Sequence, residues 1–434
     1  MRRYFETALA GILLVGVVCA AQAQNAADDV ASKPLLNTGV TGFIDASGLD
    51  DPQYVLSFVP VQRLMLEGAR HALTKADVER AVAKTPVSLD RLLQLELLRQ
   101  DGELYRLNYL LLTVDDQQMM YRACARYGQN LADAFRTHKA EFEGIASKYP
   151  NAALRPQLMF GLIAGVALDW RGLDLTTELG YRIQPPRHAK GGTYLIHSSE
   201  VGANLDFTGL YLDSETAPGS KMSFSTFGDG VSAPRLEGLP DALEGGLEKA
   251  MEDWQGVPDV YAALRSEYVT LLLLAIDDAG QVMNAVVSGT DTDAALAKAI
   301  LLPEDRRKAI LGLLFATGYL HETDHRYVVG VPVLTEGDRL LVDATLKISR
   351  EIMTDWLRAN YPAMEKDLSG LSPMRNGLPF SLAFSEAWHY TFGFASKSLA
   401  ESGFYANPRA KGNRYEGYVP LVWASSVLKA PGAP

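Results

Sequence analysis

His321, Glu322 and His325 spell H-E-x-x-H in "YLHETDHRYVVGVPVL" (319–334). On a helix, that spacing sets two imidazoles on one face, able to hold a zinc ion, with the glutamate above the metal-bound water as general base. The chemistry implied is zinc-dependent hydrolysis. The context opposes it. The helical run "RRKAILGLLFATG" ends at Gly318, before the motif, and "RYVVGVPV" after it is β-branched and broken by Pro332. Glu386-x-x-His389 in "FSEAWHYTFGF" is another spacing seen in metal-binding helices. Its neighbours Phe384, Trp388 and Phe392 instead mark a helix packed through aromatic rings. The sequence therefore implies no bound metal, with His321 and His325 as the alternative.

Two cationic loops are the better candidate. Arg187 and Lys190 lie in "PPRHAKGG", and Arg409 and Lys411 in "NPRAKGN". Glycine lets backbone amides approach a ligand, and arginine with lysine suits an anion. The competing reading is a repeated structural loop whose charges are solvated or paired. Other chemistry is sparse. There is no G-x-S-x-G elbow and no P-loop. "GDGVSA" (228–233) has no strand–turn–helix context for a dinucleotide, so no cofactor is implied. Asp291 and Asp293 sit at the start of a helical run, where capping explains them. Cys124 shares helical spacing with Met120, Tyr127 and Leu131, the pattern of a core thiol. Nothing here requires an enzyme.

The elements that must position these residues belong to a chain of 434 residues, 47% of them apolar, enough for two or more cores. The formal net charge of −11 repels phosphate polyanions, which argues against a nucleic-acid partner. At the N-terminus, Arg2 and Arg3 precede a short apolar run, Ala8 to Ala20, and then Ala21-Gln22-Ala23. That is the layout of a signal peptide cleaved between Ala23 and Gln24, giving a periplasmic or secreted protein. No later stretch is apolar enough to span a bilayer.

A self-similarity organises the rest. Shifted by 222 positions, "LLRQDGELYRLNYLLLTVDD" (97–116) falls on "YLHETDHRYVVGVPVLTEGD" (319–338), matching Leu98 with Leu320, Tyr105 with Tyr327 and Thr113 with Thr335. A long amphipathic run follows each, then an apolar helix ended by Gly180 or Gly403, each suited to the left-handed cap. "ELGYRIQPPRHAKGGTY" and "ESGFYANPRAKGNRY" then agree again, the first being longer by two residues, one of them His188. The repeating unit spans about 130 residues, too long for a solenoid repeat. In this alignment Arg99, Gln100 and Glu103 stand where His321, Glu322 and His325 stand, so the zinc-like segment is expected to be a hairpin.

Within the first copy the order is helix, helix, helix, hairpin. "VQRLMLEGARHAL" is followed by "TKADVERAVAK", with Thr74 and Asp77 at capping-box spacing, then by "SLDRLLQLELLRQ" and an Asp-Gly turn. This order resembles the winged helix-turn-helix superfamily, including the ArsR-like and MarR-like regulators. The resemblance implies DNA binding, with the third helix as reader. Asp90, Arg91, Glu96 and Arg99 sum to zero there in the first copy, while Arg306, Arg307 and Lys308 cluster in the second.

The expected fold is α+β, mostly helical, with two winged-helix-like units in duplicated halves and a Gly-rich β insertion between them. The boundaries read are a signal peptide at 1–23, a loose lead-in at 24–60, a first unit at 61–195, the insertion and a connecting helix at 196–265, and a second unit at 266–434. "YVTLLLLAIDDAGQVMNAVVSG" reads as a hairpin turning at Asp278-Ala-Gly280. The function expected is that of an exported non-enzymatic protein whose winged-helix units serve as scaffold or contact surface for a protein or small anionic ligand. The alternatives are a zinc-dependent hydrolase and a DNA-binding regulator.

Overall fold

The computed structural model describes residues 33–188, 192–205, 213–218, 221–228, 274–407 and 419–428. The signal segment, the connecting helix of the insertion, Lys190, Arg409 and Lys411 lie outside these residues. The described fold is mixed α+β and mostly helical. In chain order it runs β1 (Leu36–Ile44), α1 (Pro52–Leu56), α2 (Val59–Arg70), β2 (Leu73–Thr74), α3 (Lys75–Val82), α4 (Leu89–Gln94), β3 (Leu98–Asp101), β4 (Leu104–Leu107) and β5 (Leu110–Leu112). Helices follow: α5 (Val114–Thr137), α6 (Lys139–Ala146), α7 (Arg155–Phe160), a π-helical stretch Gly161–Trp170 and α8 (Arg171–Glu178). Next come β6 (Gly192–Glu200), β7 (Asp213–Pro218), β8 (Met222–Gly228) and α9 over 274–287. The chain continues with α10 (Asp293–Ala299), α11 (Glu304–Ala316), β9 (Leu320–Thr323), β10 (Arg326–Val329) and β11 (Val333–Leu334), then α12 (Arg339–Asp367), α13 (Ser372–Arg375), α14 (Phe380–Glu401) and β12 (Val419–Ala424).

Internal contacts divide the chain into two units. Unit one comprises Met1–Cys124, Thr176–Leu205 and Asn360–Trp388. Its small elements are set locally. Thr74 accepts from the Asp77 N–H (3.2 Å) while the Asp77 carboxylate accepts from the Thr74 N–H (2.9 Å), closing the capping box that starts α3. Ser88 Oγ accepts from the Arg91 N–H to start α4. Gly102, at φ 63°, turns β3 into β4, which pair Leu98 with Leu107 and Gln100 with Tyr105. β2 completes that sheet by pairing Leu73 with Tyr105. Leu64, Leu73, Val78, Leu92, Leu98 and Leu107 form the buried centre.

A second sheet in unit one has the order β1-β6-β5. β6 runs antiparallel to β1 (Thr38 opposite Ser198) and parallel to β5 (Leu111 opposite Ser198). The segment 24–60, expected as a loose lead-in, thus contains a sheet strand and helix α1. Leu36 is buried and Val40 packs on the core, so cross-strand pairing holds a strand whose own sequence is poor in apolar residues. Asp116, in the first turn of α5, is buried. It accepts from the Thr113 N–H (2.9 Å), the Thr113 hydroxyl (2.8 Å) and the Ser372 N–H that begins α13 (2.8 Å). Cys124 is buried as a thiol.

Unit two comprises Ala125–Leu175, Asp206–Ala359 and His389–Pro434. Thr292 caps α10 by accepting from the Ala295 N–H (3.3 Å). β9 and β10 pair Leu320 with Val329 and Glu322 with Tyr327, and the Asp291 carbonyl accepts from the Tyr327 N–H (2.7 Å). Their turn is Asp324–His325, with φ 52° and 60°, the pair of left-handed residues of a type I′ hairpin. β12 runs parallel to β11 (Val333 opposite Val422) and antiparallel to β8 (Phe224 opposite Val422), with β7 outside β8. β6, which straddles the start of the stretch read as a Gly-rich insertion at 196–265, and β8, which lies inside it, therefore serve different sheets. The hairpin expected at Asp278-Ala-Gly280 is instead the interior of α9. Ile276, Ala279, Val282, Met283 and Val286 recur at threes and fours and are buried, a helical stripe that outweighs the turn-like residues.

The two cap glycines adopt the left-handed conformation, Gly180 at φ 74° and Gly403 at φ 68°. The Tyr181 N–H reaches the Thr176 carbonyl (2.9 Å), and the Phe404 N–H reaches that of Leu399 (3.0 Å), the six-to-one bond of a Schellman cap.

Asp116→Ala removes the acceptor from three donors in a buried setting and is expected to lower stability by about 3 kcal/mol. Among the described residues Asp338 accepts from the Thr335 N–H (2.8 Å) and hydroxyl (2.9 Å) alone. Asp338→Ala should therefore cost about 1 kcal/mol, an ordinary helix cap. Urea unfolding of the two variants measures the difference, and equal losses would contradict it.

Candidate functional site

The Arg187 loop enters unit one at the start of β6. Arg187 forms a single bridge to Thr193, and its exposed side chain has no carboxylate partner among the described residues. His188 next to it is tied down. Its N–H donates to the Gly192 carbonyl (2.9 Å), and its ring stacks on Tyr194 with centroids 3.9 Å apart. Nε2 lies 2.9 Å from the Tyr194 carbonyl, and Nδ1 lies 3.5 Å from a Glu96 carboxylate oxygen. Burial, and then the charges of Glu96 and Asp51, push the Tyr194 phenol above its ordinary range. Asp51 caps α1 by accepting from the Gln53 N–H, and burial raises its carboxyl despite that bond.

Glu96 has an unusual backbone for its type, with φ 57°. It occupies the cap position after α4, where the Leu97 N–H bonds the Leu92 carbonyl (3.0 Å). Glycine normally fills that position, and a side chain there costs about 1 kcal/mol. Unit two has Gly318 after α11, at φ 74°. Reading the sequence for chemistry passed over Glu96 and His188. Their signal lay in the internal alignment, where Glu96 stands opposite Gly318 and His188 is the residue absent from "NPRAKGN". The two residues meet in space, His188 Nδ1 lying 3.5 Å from Glu96.

The zinc-like segment lies on a hairpin. His321 is in β9 opposite Val328, with its ring against Gly330, where an added Cβ would come within 2.4 Å of Nε2. His325 is in the turn, its side chain fully exposed and 3.6 Å from Glu322. Among the described residues no group of three or more His, Cys, Asp or Glu side chains is placed to hold a metal ion. Glu386 lies 3.8 Å from His197 Nδ1, while Phe384, Trp388 and Phe392 on the same helix are fully buried. Asp291 and Asp293 accept from Arg326 (2.9 Å) and Arg307 (3.1 Å). No helix among the described residues is long and apolar enough to cross a membrane.

Comparison of the chain with protein-family models, curated proteins and solved structures finds no match. The loop base is thus described by its own geometry: an exposed arginine beside an anchored imidazole, a strained glutamate and a buried phenol.

Two outcomes are expected. Glu96→Gly and Glu96→Ala both lose the contact to His188, but only the glycine relieves the left-handed cost, so it should be about 1 kcal/mol more stable than the alanine variant. Thermal unfolding of both checks this, and an alanine variant as stable as the glycine one would refute the strain. Replacing His325, fully exposed in the turn, by Ala should shift stability by no more than about 0.5 kcal/mol. Zinc held at one equivalent by the purified protein and lost in that variant would restore the hydrolase reading.

Proposed function

We propose that the chain is an exported, non-enzymatic protein, built from an internal duplication of a winged-helix-like unit and using that unit as scaffold and contact surface. The hairpin registers support the duplication: moving Leu98–Leu107 and Gln100–Tyr105 by 222 positions gives Leu320–Val329 and Glu322–Tyr327. β2 pairs with Tyr105, and the Asp291 carbonyl takes the N–H of Tyr327 at the corresponding place. The sheets extend the correspondence, since in each a strand just after the hairpin pairs in parallel with a strand that follows the long helices, Leu111 opposite Ser198 and Val333 opposite Val422. On this reading each copy begins with a strand, β1 or β8, and ends with a strand, β6 or β12. The copies therefore run from Leu36 to Glu200 and from Met222 to Ala424, wider than the repeat visible in the sequence.

The observation that carries the functional reading is the state of the reader-helix cations. Arg91 on α4 pairs with Asp50 (2.5 Å). On α11, Arg306 pairs with Asp278, Arg307 with Asp293 (3.1 Å) and Lys308 with Glu304 (2.5 Å). A helix that reads DNA presents such cations to phosphates and base edges, and here carboxylates of the same chain pair with the three arginines, while Lys308 is left with an exposed i,i+4 partner. With a net charge of −11, the long-range field repels DNA as well.

Export rests on the Arg2-Arg3, apolar and Ala-Gln-Ala segments at the N-terminus. Two measurements test the reading together. Fractionation with N-terminal sequencing should place a protein beginning at Gln24 outside the cytoplasm. Fluorescence anisotropy should detect no binding to random-sequence duplex at low salt, where a DNA-binding domain binds with a Kd of roughly 10⁻⁴ to 10⁻⁶ M or tighter. A cytoplasmic protein with Met1–Ala23 intact that binds duplex would favour the regulator instead.

A further inference from the structure

Unit two contains a cleft of about 500 Å³ between α6, the start of α7 and the turn that ends α14. Phe142, Met159, Phe404 and Tyr405 form its apolar wall, and Lys139 and Arg155 line it as cations. Phe404 meets Phe142 edge to face (5.7 Å) and Tyr405 likewise (5.7 Å), so the wall is rigid and aromatic. Arg155 is held in place because its Nε and Nη2 donate to the carbonyls of Tyr149 (3.0 Å) and Ser147 (2.7 Å). No carboxylate pairs with it among the described residues. Lys139 lies 3.7 Å from Glu143, an exposed i,i+4 pair of little strength.

The corresponding place in unit one is filled. Tyr181 follows the cap glycine there as Phe404 does in unit two, and Tyr361 stacks on it at 4.2 Å. Phe384 packs against Tyr361 at 4.9 Å, and Phe380 at 5.4 Å. The 222-residue offset that holds through the long helices sets Tyr361 opposite Lys139, and the 223-residue offset of the cap glycines sets Phe384 opposite Gly161. Two rings that close unit one are therefore a lysine and a glycine in unit two.

We propose that this cleft binds a small monocarboxylate with an aromatic body. The volume falls in the range of small-molecule pockets, roughly 300 to 1,000 Å³. The aromatic wall suits a flat apolar group. Two lining cations against the single carboxylate of Glu143 leave one positive charge, which matches one carboxylate on the ligand. The comparison with unit one rests on the duplication proposed above; the cleft and its charges do not.

Isothermal titration of the mature protein with indole-3-propionate, and separately with its neutral amide, tests the proposal. The acid is expected to bind at least about tenfold more tightly than the amide, in keeping with a charge-assisted contact. Lys139→Met, which keeps the stem and removes the charge, and Arg155→Gln should each reduce that preference severalfold. Absence of binding, equal affinity for acid and amide, or unchanged selectivity in both variants would overturn it. Lys139→Tyr supplies the ring found in unit one, so it should block binding while keeping the thermal midpoint at or above that of the parent. A lowered midpoint in that variant, with acid selectivity intact in the parent, would refute the equivalence of Lys139 and Tyr361 and leave the cleft proposal standing.

Discussion

The parallel pairing of β5 with β6, and of β11 with β12, constrains everything else in this chain. Parallel neighbours cannot be joined by a tight turn and need a long crossover. Here the crossovers are unusually long: Val114 to Glu178 in one case, Arg339 to Glu401 in the other, both helical for most of their length. β6 is also the centre of its sheet and β12 an inner strand of its own, so each sheet stays incomplete until its crossover returns the strand. The order β1-β6-β5 places the first described strand beside a strand that arrives after all those helices. Folding of either sheet is therefore non-local, which makes the correct return of the helical segment a condition for the core.

That condition explains where the specific polar contacts fall. Asp116 stands at the beginning of one crossover, binding Thr113 behind it and Ser372 far along the chain. In unit two, the Tyr149 hydroxyl lies in the first crossover's loop and takes the Val333 N–H (2.9 Å) beside β11. Burial pushes that phenol up, so it stays a neutral hydroxyl able both to donate and to accept. The crossovers also end alike. Gly180 and Gly403 supply the left-handed residue that stops each helix and aims the chain toward the returning strand. Arg187 and His188 therefore sit where a helix cap and a strand start fix both ends of a short loop.

What was legible in the sequence was local. The Thr74–Asp77 box, the Ser88 cap, the two hairpins and the two cap glycines all depend on neighbours within a few residues, and their chemistry is written in those residues. Features set by partners distant in the chain were harder to read. β1 carries Asn, Thr and Gly, and becomes a strand because β6 hydrogen-bonds along its length. Asp278-Ala-Gly280 looked like a turn until the stripe from Ile276 to Val286 found a core to face. The His321 segment went the other way: its resemblance to a metal helix was regional, while the Pro332 and β-branched context favoured strand. Glu96 and His188 escaped because a glutamate after a helix carries no alarm by itself. It takes the glycine at the matching position to reveal the strain.

Differences between matched positions are more informative about function than the matches. On the duplication proposed here, both copies must keep the caps, the hairpin register and the parallel strand pair, because the crossover fails without them. Positions that are free to differ have moved in opposite directions. Unit one has traded a glycine for Glu96, accepting backbone strain while gaining a contact to His188, and has filled its helix end with Tyr361, Phe380 and Phe384. Unit two keeps the relaxed glycine and has Lys139 and Gly161 where rings stand in the other copy. Large aromatic side chains are the strongest packing elements available, so a position that has one in one copy and a lysine in the other gives up burial. A loss of that kind is tolerated where something else comes to occupy the space, which makes the end of α14 in unit two, on the proposal above, the part of this molecule shaped for a ligand.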